Sequence, residues 1–254
     1  MSRIRHEPHV RSLGLSVPAG YRVDPHTHDW PQLVYAVSGV ISVTVGNGNW
    51  VVPPMRALWI GTGKEHSLSM RGRVEMRTLY FRPDVAPKIA ESCCVIDVPP
   101  LLREIIVHVV GLGSLDCSTP HARALFTVLV DQMGVVPERP LALPMPTDER
   151  ARRVASSVLA SPKDTSSLEH LVRQAGTSAR TAERLFLSQT GMTFGRWRQH
   201  ARLLEALRLL GEGQPVVKVA LRVGYKSPSA FVAAFRKSFG RTPAEYYRPQ
   251  QRGR

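Results

Sequence analysis

From residue 11 to 82 the apolar residues fall in short, β-branched runs interrupted by Gly and Pro. Leu33-Val-Tyr-Ala-Val37, Val40-Ile-Ser-Val-Thr-Val45 and Trp50-Val-Val52 have strand length and composition, and Gly46-Asn-Gly-Asn49 between the last two has the residues of a hairpin turn. Several such strands at short, regular spacing predict an antiparallel sandwich or barrel. The period then changes. Leu101 to Leu112 and Pro120 to Met133 predict two helices, the second with Ala124, Leu125, Val128 and Leu129 on one stripe. A small barrel offers two such helices no internal partner, so the pattern predicts that they form a subunit interface.

The stretch Val135-Val-Pro-Glu-Arg-Pro-Leu-Ala-Leu-Pro-Met-Pro146 has four prolines in twelve residues. Each removes a backbone donor and disfavours helix at the residue before it, which predicts a semi-extended linker. The charge changes at the same place. Residues 1–146 carry 14 Lys+Arg against 12 Asp+Glu, whereas 147–254 carry 20 against 8, so most of the net +14 lies in the second stretch. Such asymmetry points to a polyanionic partner, nucleic acid or anionic membrane. The predicted organisation is a barrel domain over 1–134, a Pro-rich linker over 135–147 and a basic helical domain over 148–254.

Within the basic stretch a unit repeats. Leu168, Leu171, Val172 and Ala175 precede Gly176; 48 residues later Val216, Val219, Ala220 and Val223 precede Gly224 at the same offsets. After each Gly comes a capping Ser (Ser178, Ser227), then a helix carrying Phe186 or Phe235, each followed five residues on by Gly191 or Gly240. Ser166-x-x-Glu169 has the form of a capping box, as does Thr242-Pro-Ala-Glu245 before a closing helix. Gly176 and Gly224 permit the positive φ that ends a helix and turns the chain. Helix, turn, helix is therefore present twice. Between the copies, Thr193 to Leu210 has one amphipathic stripe (Trp197, Ala201, Leu204, Leu207, Leu210) and predicts a rod roughly 27 Å long. Two modules so separated suit successive major grooves, which repeat at about 34 Å.

Gly191-Met-Thr-Phe-Gly-Arg-Trp-Arg, Ala206-Leu-Arg-Leu-Leu210, Val219-Ala-Leu-Arg-Val-Gly-Tyr225, Ser227-Pro-Ser-Ala-Phe231, Phe235-Arg-Lys-Ser-Phe-Gly240 and Thr242-Pro-Ala-Glu-Tyr-Tyr-Arg248 together resemble the signature of the AraC/XylS transcription factors, continuously over 150–248. The resemblance implies sequence-specific binding of double-stranded promoter or operator DNA by two modules per subunit, with contact to RNA polymerase; the 101–133 helices predict a homodimer, and the unpaired cysteines with no expected signal peptide predict a cytoplasmic protein, on the nucleoid when DNA-bound. The resemblance also implies an α+β, two-domain fold. A cupin-like antiparallel β-barrel with two helices precedes an all-α domain whose two helix-turn-helix motifs are joined by a linker helix.

A recognition helix presents its N-terminal exposed positions to base edges. In the first module these are Ser178, Ala179, Arg180, Thr181, Glu183 and Arg184. Arg180 and Arg184 share a face at i, i+4, and Arg is the commonest bidentate reader of guanine. Glu183 is suited either to a cytosine amine or to pairing with one of those arginines. In the second module Pro228, Ser229, Val232, Ala233 and Arg236 point outward, with few hydrogen-bonding groups. The family often has Arg where Ala233 stands, a departure that predicts weaker base discrimination here. Lys226, Ser227, Arg236 and Lys237 are expected to contact phosphates, which position without specifying. Arg202, Arg208, Lys218 and Arg222 fit either phosphate contact or solvated surface.

The barrel carries its own candidate chemistry. Gly20-x5-His26-x-His28-x3-Gln32-x6-Gly39 resembles in spacing the first cupin motif, and Gly61-x-Gly63-x2-His66-x3-Met70 a degraded second one. On a strand, His26, His28 and Gln32 share a face by period two, and the second motif would bring His66 beside them, giving three imidazoles of a divalent metal site. Gln32 stands where metal-binding cupins commonly have Glu, and Met70 where Asn is usual. The alternatives are a metal-free, hydrogen-bonded cluster or a small-molecule effector pocket. Such a pocket would draw on Trp30, Tyr35, Trp50, Trp59 and Arg56, with Trp50 and Trp59 equally readable as core.

Composition excludes several classes. Hydrophobic residues at 43% and charged residues at 21% describe a globular protein, and no apolar run approaches a membrane span. MSRIRHEPHV has no apolar run behind its basic residues, so no signal peptide is expected. Three cysteines (Cys93, Cys94, Cys117) do not pair off and fit a reducing interior. No nucleophilic triad is apparent, so the chain is read as a non-enzymatic regulator whose barrel senses a small ligand or metal. A metal-dependent cupin enzyme carrying a DNA-binding domain is the alternative.

Overall fold

The computed structural model describes residues 7–70, 72–89, 93–133 and 141–247, and the chain divides into two compact units, Met1–Gly46 with Val52–Arg139 and Asn47–Val51 with Pro140–Arg254. The first unit is antiparallel sheet with two helices. In chain order its elements are β1 (Val10–Val17), β2 (Arg22–His26), β3 (Gln32–Ser38) and β4 (Ile41–Val45), then β5 (Gly48–Val52), which groups mostly with the second unit, β6 (Arg56–Ile60), β7 (His66–Ser69), β8 (Val74–Phe81), β9 (Cys93–Asp97), α1 (Pro100–Leu112), β10 (Ser114–Leu115) and α2 (Pro120–Asp131). One sheet has the order β10-β1-β8-β3-β6-β9, with β1 and β8 in unbroken register from Val10 opposite Phe81 to Val17 opposite Val74. In the other sheet β7 lies between β4 and β2. The turn between β3 and β4 demands glycine: Gly39 has φ +79°, and a Cβ there would fall 2.4 Å from the Arg73 carbonyl oxygen.

Every residue of β6 and most of β3 are buried, so both faces of the large sheet are covered at its centre. Alternation decides what meets what. Leu33, Tyr35, Ala57, Trp59, Leu79, Phe81 and Ile96 face one way and form a single core with Leu102, Ile106 and Val109 of α1. This corrects the expectation that both helices lack an internal partner: α1 is a core element, its buried stripe lying on the sheet. α2 is the more peripheral, with Leu129 its one fully buried residue and Val128 39% exposed. The same core takes Tyr35 and Trp59 out of the effector-pocket candidates. Arg56 is buried too, paired with Asp97 across β6 and β9. Trp30 lies instead beneath the Arg11 guanidinium, 4.0 Å above its ring.

The second unit begins with β11 (Ala142–Pro144), which pairs antiparallel with β5, placing Trp50 opposite Ala142 and Gly48 opposite Pro144. Of the expected linker, residues 135–140 lie outside the described residues, and 142–144 are strand; Pro is tolerated there because an edge strand leaves one side unpaired. Helices follow: α3 (Glu149–Ala160), α4 (Leu168–Ala175), α5 (Ala179–Thr190), α6 (Phe194–Gly211), α7 (Val216–Arg222), α8 (Pro228–Phe239) and α9 (Pro243–Tyr247). No helix of the described residues is long and apolar enough to cross a membrane.

The repeat is realised as two lobes sharing α6. In the first, Leu171, Val172 and Ala175 of α4 and Ala182, Leu185 and Phe186 of α5 are buried; in the second, Val219 and Ala220 of α7 and Phe231, Phe235 and Phe239 of α8 are. Phe235 stands edge-on to Phe231, Phe239 and Tyr246, with ring centroids 5.7, 4.7 and 5.7 Å away. Gly176 and Gly224 take φ +66° and +83° at the two turns, as a left-handed helix end requires. α6 differs from the single amphipathic stripe expected. Ten of its eighteen residues are buried, including Leu203, Ala206 and Leu209 off that stripe, because a lobe packs on each of two sides. Its length is about 27 Å at 1.5 Å per residue.

Candidate nucleic-acid interface and histidine cluster

α5 and α8 occupy equivalent positions in the two lobes, and local chemistry fixes where each starts. The Ser178 hydroxyl accepts from the Thr181 amide at 3.2 Å, and Ser227 accepts from Ala230 at 3.2 Å with Pro228 at the first helical position. The α4 cap is one residue later than expected: Ser167 is the N-cap, while Ser166 donates to Asp164 Oδ1 at 2.7 Å. Thr242 and Glu245 do form a reciprocal capping box, each side chain accepting from the other's backbone amide at 3.3 and 2.8 Å.

On α5, Ser178, Arg180, Glu183 and Arg184 are exposed and Ala179 and Thr181 half-buried. Arg180 and Arg184 stand one turn apart on the surface, and neither has an ion-pair partner among the described residues. Glu183 does something else. Its Oε2 accepts from the Phe194 amide at 3.1 Å, at the first residue of α6, beside Thr193, whose hydroxyl accepts from Arg196 at 3.4 Å. One carboxylate oxygen therefore serves as a remote cap of the linker helix, a role that sequence spacing did not reveal, and among the described residues Glu183 forms an ion pair with neither arginine.

On the second lobe, Lys226, Ser229, Ala233, Arg236 and Lys237 are exposed, and Ser227, Pro228 and Val232 half-buried. An open groove runs along this face of α8, lined by Pro228, Ser229, Val232, Ala233, Arg236 and Lys237. Its floor is apolar and its far end cationic. The remaining candidate cations divide. Arg202 donates to the Pro162 and Asp164 carbonyl oxygens at 2.9 and 2.7 Å, and Arg198 donates to the Ser166 carbonyl at 2.6 Å, so these two tie the α3–α4 loop to α6. Arg208 is held between Glu205 and Glu212, and Arg222 donates to Gln214 at 2.9 Å. Lys218 is exposed. Sequence placed Arg202 and Arg208 among the surface cations; burial and carbonyl or carboxylate partners make them structural.

The first unit brings His26, His28 and His66 together: one ligating nitrogen from each lies within 4.8 Å of the other two. The route differs from the period-two expectation. β2 ends at His26, so His28 sits in the irregular stretch beyond it, and Gln32 opens the next strand in the other sheet. His26 pairs across strands with His66 next to a register shift in β2, and their rings lie 4.3 Å apart; the His28 ring is 4.9 Å from His66 and 5.9 Å from His26.

Hydrogen bonds assign the nitrogens. His26 Nδ1 faces the Asp24 carbonyl and His66 Nδ1 the Lys64 carbonyl, each at 2.8 Å. A carbonyl only accepts, so both Nδ1 atoms carry hydrogen and the Nε2 atoms of the neutral rings carry lone pairs. His28 Nε2 lies 3.0 Å from Gln32 Oε1. Gln32 Nε2 donates to Thr78 Oγ1 at 2.8 Å and to the Tyr80 hydroxyl at 3.0 Å, and Thr78 in turn donates to the Leu33 carbonyl at 3.0 Å. Because the Thr78 proton goes to Leu33, its oxygen must accept, which fixes the Gln32 amide and makes His28 Nε2 the protonated nitrogen. His28 Nδ1 is then the free one. Burial holds the His66 imidazole below its ordinary pKa, and burial raises the Tyr80 phenol above its own. Gln32, 2% exposed with both amide atoms engaged, supports His28 rather than joining the convergent nitrogens. Thr78 and Tyr80 escaped sequence reasoning, although their period-two spacing on one strand is the signal that could have found them. Cys93 and Cys94 are half-buried, and burial pushes the Cys93 thiol up to about 11, leaving it protonated and unreactive.

A model of the AraC-like ligand binding domain matches residues 14–195, and one of a helix-turn-helix domain matches residues 171–249. The HTH-type transcriptional regulator NimR of Escherichia coli (strain K12) is 34% identical over 221 residues, 87% of this chain and 81% of the relative. The HTH-type transcriptional regulator RipA of Corynebacterium glutamicum is 35% identical over 129 residues, 50% of this chain and 39% of its own. Among solved structures, the DNA-binding domain of AdpA, crystallised in complex with a target DNA, is 34% identical with TM-score 0.37, covering 39% of this chain and 90% of that one.

Proposed function

The chain belongs to the AraC-type family of helix-turn-helix transcriptional regulators, and from that premise we propose that α5 and α8 enter successive major grooves of one promoter or operator. The observation that carries this is the pair of exposed, equivalently capped helices on a shared α6, with Arg180 and Arg184 unpaired on the first and Lys226, Arg236 and Lys237 flanking the second. Arg180 and Arg184 supply base readout; the apolar α8 face meets thymine methyls, and its cations with the Ser227 helix start meet phosphates. The first unit is the sensor, not an enzyme. Leu101, Leu112 and Val128, exposed on α1 and α2, are the apolar positions through which a homodimer forms, and RNA polymerase meets the protein at promoters, inside the cytoplasm.

Selection from a random-duplex pool with the full chain tests this. Two sub-sites about 10–10.5 base pairs apart are expected, the one under α5 the more informative. Affinity should fall steeply with salt as neutralised phosphates release counterions. Recovery of duplexes without a common motif, at unchanged affinity, would contradict the proposal.

A further inference from the structure

The histidine cluster poses a question that DNA binding does not answer. His66 is 1% exposed, yet its Nε2 has no hydrogen-bond partner, and neither has buried His28 Nδ1. A buried lone pair left unpaired is costly, typically about 1–3 kcal/mol each, and native proteins rarely tolerate two side by side. Each of these rings gives one nitrogen to the converging set, and on the third ring, His26, the hydrogen bond from Nδ1 to the Asp24 carbonyl leaves Nε2 as the lone-pair nitrogen.

We propose that His26 Nε2, His28 Nδ1 and His66 Nε2 bind one divalent transition-metal ion of the zinc, nickel or copper class. The donor set selects the class. Three neutral imidazoles with no carboxylate suit these borderline ions and not magnesium, calcium or manganese. Each imidazole donates its other N–H to an oxygen, which sets its tautomer and raises its basicity, the usual outer arrangement of a metal-binding histidine. For His28 that arrangement is a relay: Leu33 carbonyl, Thr78, Gln32, His28. Gln32 is thus a positioning residue, and the Glu-to-Gln departure keeps its oxygen for His28 while its amide is anchored on Thr78 and Tyr80. Three protein ligands leave a coordination position open, and an ion keeping its full double charge favours water or an anionic group there. The inference deepens the sensing role proposed above by naming the ligand class of the first unit.

The test uses the full chain without a polyhistidine tag, stripped with chelator and titrated with Zn2+ in the absence of DNA, with Co2+ absorption as a second readout of the nitrogen donors. One Zn2+ per chain is expected, with binding lost in His66→Ala and in His26→Ala, the latter half-exposed and the milder change to the fold. Gln32→Leu should keep the stoichiometry and lower affinity about 10- to 100-fold. Gln32→Glu, which restores an acceptor for His28, should recover most of it. Equal Zn2+ binding by the parent and by folded His26→Ala, or no binding by the parent at micromolar Zn2+, overturns the assignment. DNA affinity of the same stripped sample is measured separately, so loss of the metal reading and loss of the regulator reading are distinguishable.

Discussion

Glu183 separates what the surface pattern implied from what the fold does with the residue. As a base reader it would lower affinity for one base pair when removed; as a cap it would loosen α6. Its Oε2 accepts from the Phe194 amide at 3.1 Å, one of the N–H groups that the start of a helix leaves without an internal partner. Removing a capping oxygen costs about 0.5–2 kcal/mol. Glu183 is exposed, and Thr193 still caps the next turn at Arg196, so the lower half of that range applies to Glu183→Ala, about 1 kcal/mol. In a domain of roughly 100 residues that corresponds to a Tm lower by about 4 °C. Glu183→Gln keeps an acceptor but loses its charge at the helix start, and should cost about half as much. Thermal unfolding of the full chain, alongside selection of bound duplexes by each variant, measures both effects. Unchanged stability together with a changed preference at one base pair would refute the capping account.

Other outcomes follow from the same geometry. His200, buried in α6 with Nε2–H donating to the Ala142 carbonyl at 2.9 Å, has its pKa lowered by burial. The native state therefore binds fewer protons: the stability is full above the unfolded value of about 6.5 and is lost as pH falls from there toward the lowered native value. His200→Gln, which keeps a donor without titrating, should flatten that part of the stability–pH curve. Phe235→Ala empties the centre of the second lobe and should cost about 3–5 kcal/mol, seen as loss of the cooperative melt of that lobe. Gly39→Ala forces a Cβ against a carbonyl at positive φ and should destabilise the first unit by more than about 1 kcal/mol, seen as a lower melting temperature.

Much of the second unit was legible because its information is local. The offsets of Leu171, Val172 and Ala175 before Gly176, and of Val219, Ala220 and Val223 before Gly224, encode two buried stripes and two turns without reference to anything distant. What α6 packs against is not local, so its second buried face, with Leu203, Ala206 and Leu209, leaves no mark in a single amphipathic stripe. The same limit applies to Arg202 and Arg208, whose partners lie in a loop 38–40 residues away or on the same helix in rotamers that sequence does not specify. In the first unit the three histidines were visible by spacing, but the reason they meet was not. His28 leaves the strand, and a register shift beside His26 carries the geometry. The partner of α1 is written in the sheet instead: Leu33–Val37 and Ala57–Ile60 are continuous apolar runs, the pattern of strands covered on both faces, and α1 covers one of those faces. The pairing of 142–144 with β5 joins segments about ninety residues apart, and the prolines that signalled an extended linker are compatible with an edge strand as well.

The central claim is that the exposed face of α5 reads base pairs. The measurement that bears on it most directly is the affinity of Arg184→Ala for the selected operator and for each of its single base-pair substitutions, at one fixed salt concentration. Arg184→Ala should lose about 1–3 kcal/mol on the operator and, at one or two adjacent positions, bind all four base pairs alike, while discrimination elsewhere stays as in the parent. A uniform loss at every position, or no loss at all, would contradict base reading by α5.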